Sequence, residues 1–316
     1  MTHLATSCGD PRNATAAAPT VARPATPAAV PLLALEAALV VTWSSGFVGT
    51  RFSIDHAPAF LVVFWRCVVV ALALLPWVTG ELRRTPPALL LRHGGIGLLA
   101  MAGYLAGVAK GIEYGVPAGL AALIADLLPI GTALLGAGLL GQRLHRRVWL
   151  GLMLGLLGVI LVTRDALAWG ETPLWTYGLP LLGMLSLALA TLWQKRADSP
   201  ASMGLLSNLW LQCAISAAAF AALAGREGSL LPVPSAGFAL SVLWTAALST
   251  LGGYGLYWIC LRRSSPTRVA SVLYLSPAVT LLWAWAMFDE PLSWLMLLGT
   301  AVSGCGIWMV VRGERR

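Results

Sequence analysis

The residue of greatest chemical potential in this 316-residue chain is Asp126. It stands between Ala125 and Leu127 inside a long apolar stretch. An ionised carboxylate in hydrocarbon costs several kcal/mol, roughly 2.5–3.5 on insertion scales, so such a group faces a bundle interior or an aqueous cavity and is suited to proton relay. Pro129 follows three residues on and leaves the carbonyl of Ala125 without its helical donor. Tyr274 is placed alike, since Pro277 frees the carbonyl of its neighbour Leu273. Both kinks are expected to line a solute pathway. Arg66 lies about seven residues into the second apolar stretch, roughly 10 Å deep at ~1.5 Å per residue. It can pair with Asp126 in a structural ion pair, snorkel as an anchor, or meet a substrate carboxylate; the sequence leaves these readings open.

Glu36 precedes Trp43 on the same helical face, where it is either a cytoplasmic gate and proton acceptor or a solvated interfacial glutamate. Trp43, Tyr104, Trp193, Tyr254 and Tyr274 offer stacking surfaces for a substrate, although aromatics also serve as interface anchors. Lys110 and Glu113, spaced i and i+3, read as a helix-end pair. Catalytic and metal signatures are missing: there is no H-E-x-x-H, G-x-S-x-G or P-loop, and the four histidines are scattered. The five cysteines show no C-x-x-C pair and read as small core residues. No cofactor and no metal site is expected, and no enzyme.

These residues must be positioned by elements suited to lipid. The chain is 58% hydrophobic and 11% charged, against roughly 25% charged residues in soluble domains. Spans of about 20 apolar residues are placed near 32–52, 59–78, 95–113, 118–140, 147–163, 174–194, 203–224, 237–261, 269–288 and 292–311. Residues 1–30, rich in Ala, Pro and Thr, predict a disordered tail. Most of the 21 basic residues fall on one set of alternating loops, among them Arg83, Arg84, Arg143, Arg146, Arg147, Arg262, Arg263 and Arg268. Cytoplasmic loops carry that excess, so both termini, and the 1–30 tail, are placed in the cytoplasm. The net charge of +8 is thereby accounted for without nucleic acid.

The two halves repeat. At an offset of 148 residues Pro129 meets Pro277, Thr132 meets Thr280 and Gln142 meets Glu290, while Gly151, Gly155 and Gly158 meet Gly299, Ser303 and Gly306. With small shifts Trp43 matches Trp193, Arg66-Cys67 matches Gln212-Cys213, and Gly103-Tyr104 matches Gly253-Tyr254. Five spans per half is an odd number, so the second half enters from the opposite side. The expected fold is an all-α integral membrane bundle of ten transmembrane helices in two inverted five-helix repeats, 31–165 and 173–312, an architecture used for alternating access.

On these residues the sequence resembles the EamA-type members of the drug/metabolite transporter superfamily. The resemblance rests on Trp43-Ser44-Ser45-Gly46-Phe47, Phe64-Trp65-Arg66, Tyr114-Gly115-Val116-Pro117-Ala118, the prolines Pro129 and Pro277, and Asp289-Glu290-Pro291. It covers about residues 32–311; Gln142 departs from the glutamate common in the family. The resemblance implies secondary transport that exports amino acids, other metabolites or toxic compounds across an inner membrane, often driven by proton exchange. The partners so implied are a small-molecule substrate, membrane lipid and protons. Monomer and homodimer are both compatible, as are the rivals of an uptake carrier or nucleotide-sugar-type exchanger and, outside transport, of a membrane-embedded enzyme or assembly subunit.

Overall fold

The computed structural model describes residues 31–141, 146–169, 172–196, 203–263, 269 and 272–313. The expected tail over 1–30, and Gln142 with Arg143 and His145, lie outside the described residues.

Prolines set several helix starts. Pro58, Pro86 and Pro117 adopt extended backbone immediately before helices α2 (Ala59–Leu82), α3 (Pro87–Glu113) and α4 (from Ala118 to Leu140), as expected for a residue whose ring fixes φ and which lacks an N–H. Helix α1 spans Leu32–Ile54. The third span was expected to begin at 95; it begins at Pro87, because proline suits the first helical turn and so extends the helix through Arg92 and His93. Helix α4 is broken into Ala118–Ala125 and Leu128–Leu140, and α5 covers Arg146–Trp169. A 3-10 turn, Leu174–Tyr177, leads into α6 (Gly178–Arg196), followed by α7 (Leu205–Glu227). Helix α8 runs through Ala236–Trp244, Thr245–Gly253 and Tyr254–Arg263; α9 is Ser276–Phe288 and α10 is Trp294–Gly313.

Among the described residues there is no strand. Seven helices of the described residues, α1–α4 and α6–α8, are long and apolar enough to cross a membrane, while α9 and α10 supply shorter apolar stretches. The outer surface is apolar: Leu72, Leu156, Ile160, Leu182, Trp285 and Leu298 are each more than half exposed. Trp77, Trp175 and Trp294 stand out near helix ends, the depth that tryptophan prefers in a bilayer. This is a multi-pass membrane protein.

Two local distortions occur twice. At Asp126–Leu127 the chain leaves α-geometry: Leu127 N–H donates to the Ile124 carbonyl (3.2 Å) and Gly131 N–H to the Leu127 carbonyl (2.9 Å). At Tyr274–Leu275, Leu275 N–H donates to Val272 (3.1 Å) and Val279 N–H to Leu275 (3.0 Å). Each break lies just ahead of a proline, Pro129 or Pro277, whose missing N–H and bulky ring prevent a regular turn. The second break explains why α9 starts at Ser276 and not at 269. The other distortion is π-helical. Leu98–Gly103 in α3 and Thr245–Gly253 in α8 are widened turns, and each ends at a Gly-Tyr pair, Gly103-Tyr104 and Gly253-Tyr254.

The principal packing pairs are α5 on α10, α2 on α7, α3 on α6, α1 on α8, α3 on α7, the first piece of α4 on α9, its second piece on α6, α2 on α8, and α9 on α1. Close approach of α5 and α10 depends on absent side chains. A Cβ at Gly306 would sit 2.6 Å from the Gly151 carbonyl oxygen and 2.8 Å from Gly155 Cα. Ser303 Oγ donates to the Gly155 carbonyl across the same seam (3.4 Å).

Candidate substrate cavity

Four helices enclose a cavity of about 50 Å³, room for several waters or part of a small solute. Helix α1 contributes Trp43, Gly46, Phe47 and Thr50, and α3 contributes Met101, Tyr104, Leu105 and Val108. Both sets step by three and four residues, the spacing of one helical face. Ser249 and Tyr254 of α8 are five apart and still share the cavity, which follows from the π-helical widening that ends at Gly253. Arg66 of α2 completes the lining.

Arg66 is buried, at 5% exposure. Its Nε donates to Thr250 Oγ1 (2.7 Å) and an Nη to Ser249 Oγ (3.2 Å); Thr250 Oγ1 in turn donates to the Thr245 carbonyl (3.0 Å). Among the described residues no carboxylate forms an ion pair with it. A guanidinium has five N–H donors, so two hydroxyls leave much of its capacity for the cavity. The Trp43 ring lies 5.8 Å from that of Tyr254 and 6.0 Å from that of Tyr257, forming an aromatic wall.

Of the residues expected on a solute pathway, Arg66, Trp43, Tyr104 and Tyr254 come together here. Asp126 does not line the cavity. It sits at the break in α4 with its N–H donating to Ala122 (2.9 Å), one carboxylate oxygen buried and without a hydrogen-bond partner, within electrostatic reach of Tyr104. The structural ion pair between Asp126 and Arg66 is therefore not formed. Tyr274 is at the matching break just before α9 and packs against the cluster around Leu127 and Ile130. Glu36 is 2% exposed, in electrostatic range of Cys260, which corrects the reading of a solvated interfacial glutamate: α1 carries it inside the bundle. Trp193 is on an outer face, 41% exposed, where its ring lies over Gly95 of α3. Thr250 and Ser249, the arginine's partners, were missed; two adjacent hydroxyls just ahead of Gly252-Gly253 in an apolar helix were the signal available.

Other charged residues close helix ends. Pro58 and Pro117 carry no side-chain acceptor, and carboxylates from elsewhere cap the helices they precede. Glu113 accepts from Ala59 N–H (2.8 Å) and Glu290 from Ala118 N–H (3.2 and 3.1 Å). Lys110 bonds Glu113 and also Glu227 (2.7 Å), tying α3 to α7. Arg51 reaches Asp55 (2.9 Å) and Glu290 (3.5 Å) and lies over Phe288. Glu81 accepts from Gly204 N–H and Ser207 Oγ, both at 2.5 Å, at the start of α7.

Burial pushes the Glu290 carboxyl up, outweighing the Ala118 N–H and Arg51, which pull it down. A carboxyl raised on folding contributes stability below its unfolded value of about 4.3, and that contribution is lost as pH rises through the folded value. Glu290→Gln keeps an acceptor for Ala118 but cannot ionise. Thermal unfolding in detergent should show wild type losing ground to Glu290→Gln as pH rises above the unfolded value of about 4.3; parallel profiles would contradict this.

A multi-pass helical bundle with an internal cavity of about 50 Å³ and a buried cation on its wall has the build of a transporter. The EamA-like transporter family matches residues 31–164 and again 174–312, and the chain belongs to that family. It is 29% identical over 286 residues, 88% of this chain and 93% of the relative, to the "Probable amino-acid metabolite efflux pump" of Escherichia coli (strain K12). It is 26% identical to the "Uncharacterized inner membrane transporter YedA" of the same organism, with 90% of this chain and 92% of that one covered. A solved crystal structure with 18% sequence identity superposes with a TM-score of 0.61 over 90% of this chain and 98% of the other, a likeness of fold.

Proposed function

We propose that this protein exports small metabolites of the amino-acid class from the cytoplasm across an inner membrane, by alternating access of the cavity between α1, α2, α3 and α8. In this reading the chain transports and does not catalyse. Its ten spans form two inverted five-helix repeats, 31–165 and 173–312, with both termini in the cytoplasm. One observation carries the reading: the cavity is walled by three helices of the first half and one of the second, so relative motion of the halves changes access to it.

The packing supports the repeat. Exchanging each helix with the one five places away leaves the principal pairs unchanged: α2·α7, α5·α10 and α4·α9 map onto themselves, α3·α6 exchanges with α1·α8, α3·α7 with α2·α8, and α4·α6 with α9·α1. The paired breaks and paired π-helical turns fit the same exchange. Burial closes the cavity at both ends: Phe47, Val48 and Thr50, with Val108 and Ile112, are closely packed toward the end at which α1 finishes and α2 begins, and Glu36, Leu39 and Cys260 are buried at the other, while Thr42, Trp43, Tyr254 and Tyr257 between them are partly exposed. Under the topology given by the basic loops, the first of these ends is external. Asp126 is the coupling residue, with Tyr104 between it and the cavity.

Cells that overproduce the protein should accumulate amino-acid-type metabolites in the medium relative to cells without it, and everted vesicles should take them up. Identical extracellular metabolite profiles would overturn export; transport only into right-side-out vesicles would make the protein an uptake carrier.

A further inference from the structure

We infer that the cavity is a site for organic anions: Arg66 holds a single carboxylate, the aromatic wall holds an apolar body, and no amino group is required. This rests on the reading that the cavity is the transport route. Arg66 is a buried cation whose hydrogen bonds, among the described residues, go to the neutral hydroxyls of Thr250 and Ser249. No aspartate or glutamate lines the cavity. A charge withdrawn from water without an opposite charge costs several kcal/mol, and the cavity is where a counter-charge has access to it. The planar guanidinium matches a carboxylate in a bidentate fork. The longer of its two bonds, 3.2 Å to Ser249, is the one an incoming carboxylate can replace or join, since Ser249 itself lines the cavity.

The rest of the wall is apolar or aromatic, with Trp43 and Tyr254 at 5.8 Å from each other. That surface suits a phenyl or branched aliphatic group. An ammonium group entering with the carboxylate meets aromatic faces but no anion, because Asp126 lies off the cavity, and the Arg66 charge repels it. The cavity therefore complements a net charge of minus one better than a zwitterion, and far better than a cation.

Calorimetric binding to the purified full-length protein in detergent tests this with four probes of similar body: 3-phenylpropionate, phenylalanine, phenylalaninamide and 3-phenylpropanol. The expected order places 3-phenylpropionate at least level with phenylalanine, and the amide and alcohol weaker by about tenfold or more, the scale of one charge-assisted hydrogen bond. In Arg66→Gln the preference for 3-phenylpropionate over 3-phenylpropanol should vanish. The proposal is overturned if phenylalaninamide matches 3-phenylpropionate, if phenylalanine binds more than about tenfold tighter than 3-phenylpropionate, if none of the four binds at millimolar concentration, or if Arg66→Gln keeps the preference. The comparison within wild type stands even where the variant fails to fold. Thr50→Trp, which fills the cavity from α1, separates the two readings. Retained transport and binding in that variant would remove the cavity from the route, whereas their loss, together with indifference to probe charge, would overturn the anion site alone.

Discussion

Asp126→Asn is expected to reduce proton-driven transport in proteoliposomes to the level of liposomes without protein, while the purified variant stays folded and binds ligand at the cavity as wild type does. The reason is the local environment of the carboxylate. Asp126 closes the first piece of α4, and its buried oxygen finds no hydrogen-bond partner. An ionised carboxylate there is uncompensated at a cost of about 2.5–3.5 kcal/mol, so gaining or losing a proton changes the energy of this segment by a meaningful fraction of what a conformational equilibrium needs. Asparagine has nearly the same shape and is always neutral; it freezes that contribution without opening a void. Two neighbouring features make the segment a plausible lever: the helix is already interrupted at Asp126–Leu127, and Tyr104, within electrostatic reach, lines the cavity. Unaltered gradient-driven transport in Asp126→Asn would remove the residue from coupling. Loss of ligand binding together with transport would instead assign it to the binding site.

What could be read from the sequence follows from which forces act locally. Proline acts on its own turn, so Pro129 and Pro277 announced breaks that the hydrogen bonds show at Leu127 and Leu275. The lack of polar surface likewise announced a lipid solvent, and periodic apolar stretches located most helices to within a few residues. Gathering Arg66, Trp43, Tyr104 and Tyr254 at one cavity was accessible because intramembrane polar groups and aromatics are few enough to be considered together. Other features depend on long-range geometry. No pattern in Leu98–Gly103 or Thr245–Gly253 marks a π-helical turn, yet that turn aligns Ser249 with Tyr254. Glu290 was read as part of an entry into the last span; its work in the structure is to cap α4, 172 residues earlier in the chain. Trp193 was grouped with the pathway as an aromatic stacking surface, but helix rotation carries it to an outer face against Gly95. Periodicity gives the faces of a helix and leaves open which face meets which neighbour.

Two glycines of α10, Gly304 and Gly306, two residues apart, should respond oppositely to alanine. At Gly306 an added methyl meets the backbone of α5, including the Gly151 carbonyl oxygen at 2.6 Å and Gly155 Cα at 2.8 Å. Backbone cannot rotate away as a side chain can, so the helices must separate, and packing is the main force holding membrane helices together. Overpacking of this kind costs about 1–3 kcal/mol. At Gly304 the same methyl finds nothing within 4 Å, and alanine there removes the entropic penalty of glycine in a helix, about 0.5–1 kcal/mol. Thermal unfolding in detergent should therefore place Gly306→Ala below wild type and Gly304→Ala level with it or above. The contrast is informative because composition, hydropathy and helix propensity change identically in both variants, which leaves only the distance between α5 and α10 to distinguish them. If the α5–α10 seam is the fixed unit on which the rest of the bundle moves, Gly306→Ala should also lower transport in proportion to the folded protein lost, with binding affinity per folded molecule unchanged. An affinity that falls while the fold survives would show instead that the seam moves during the cycle.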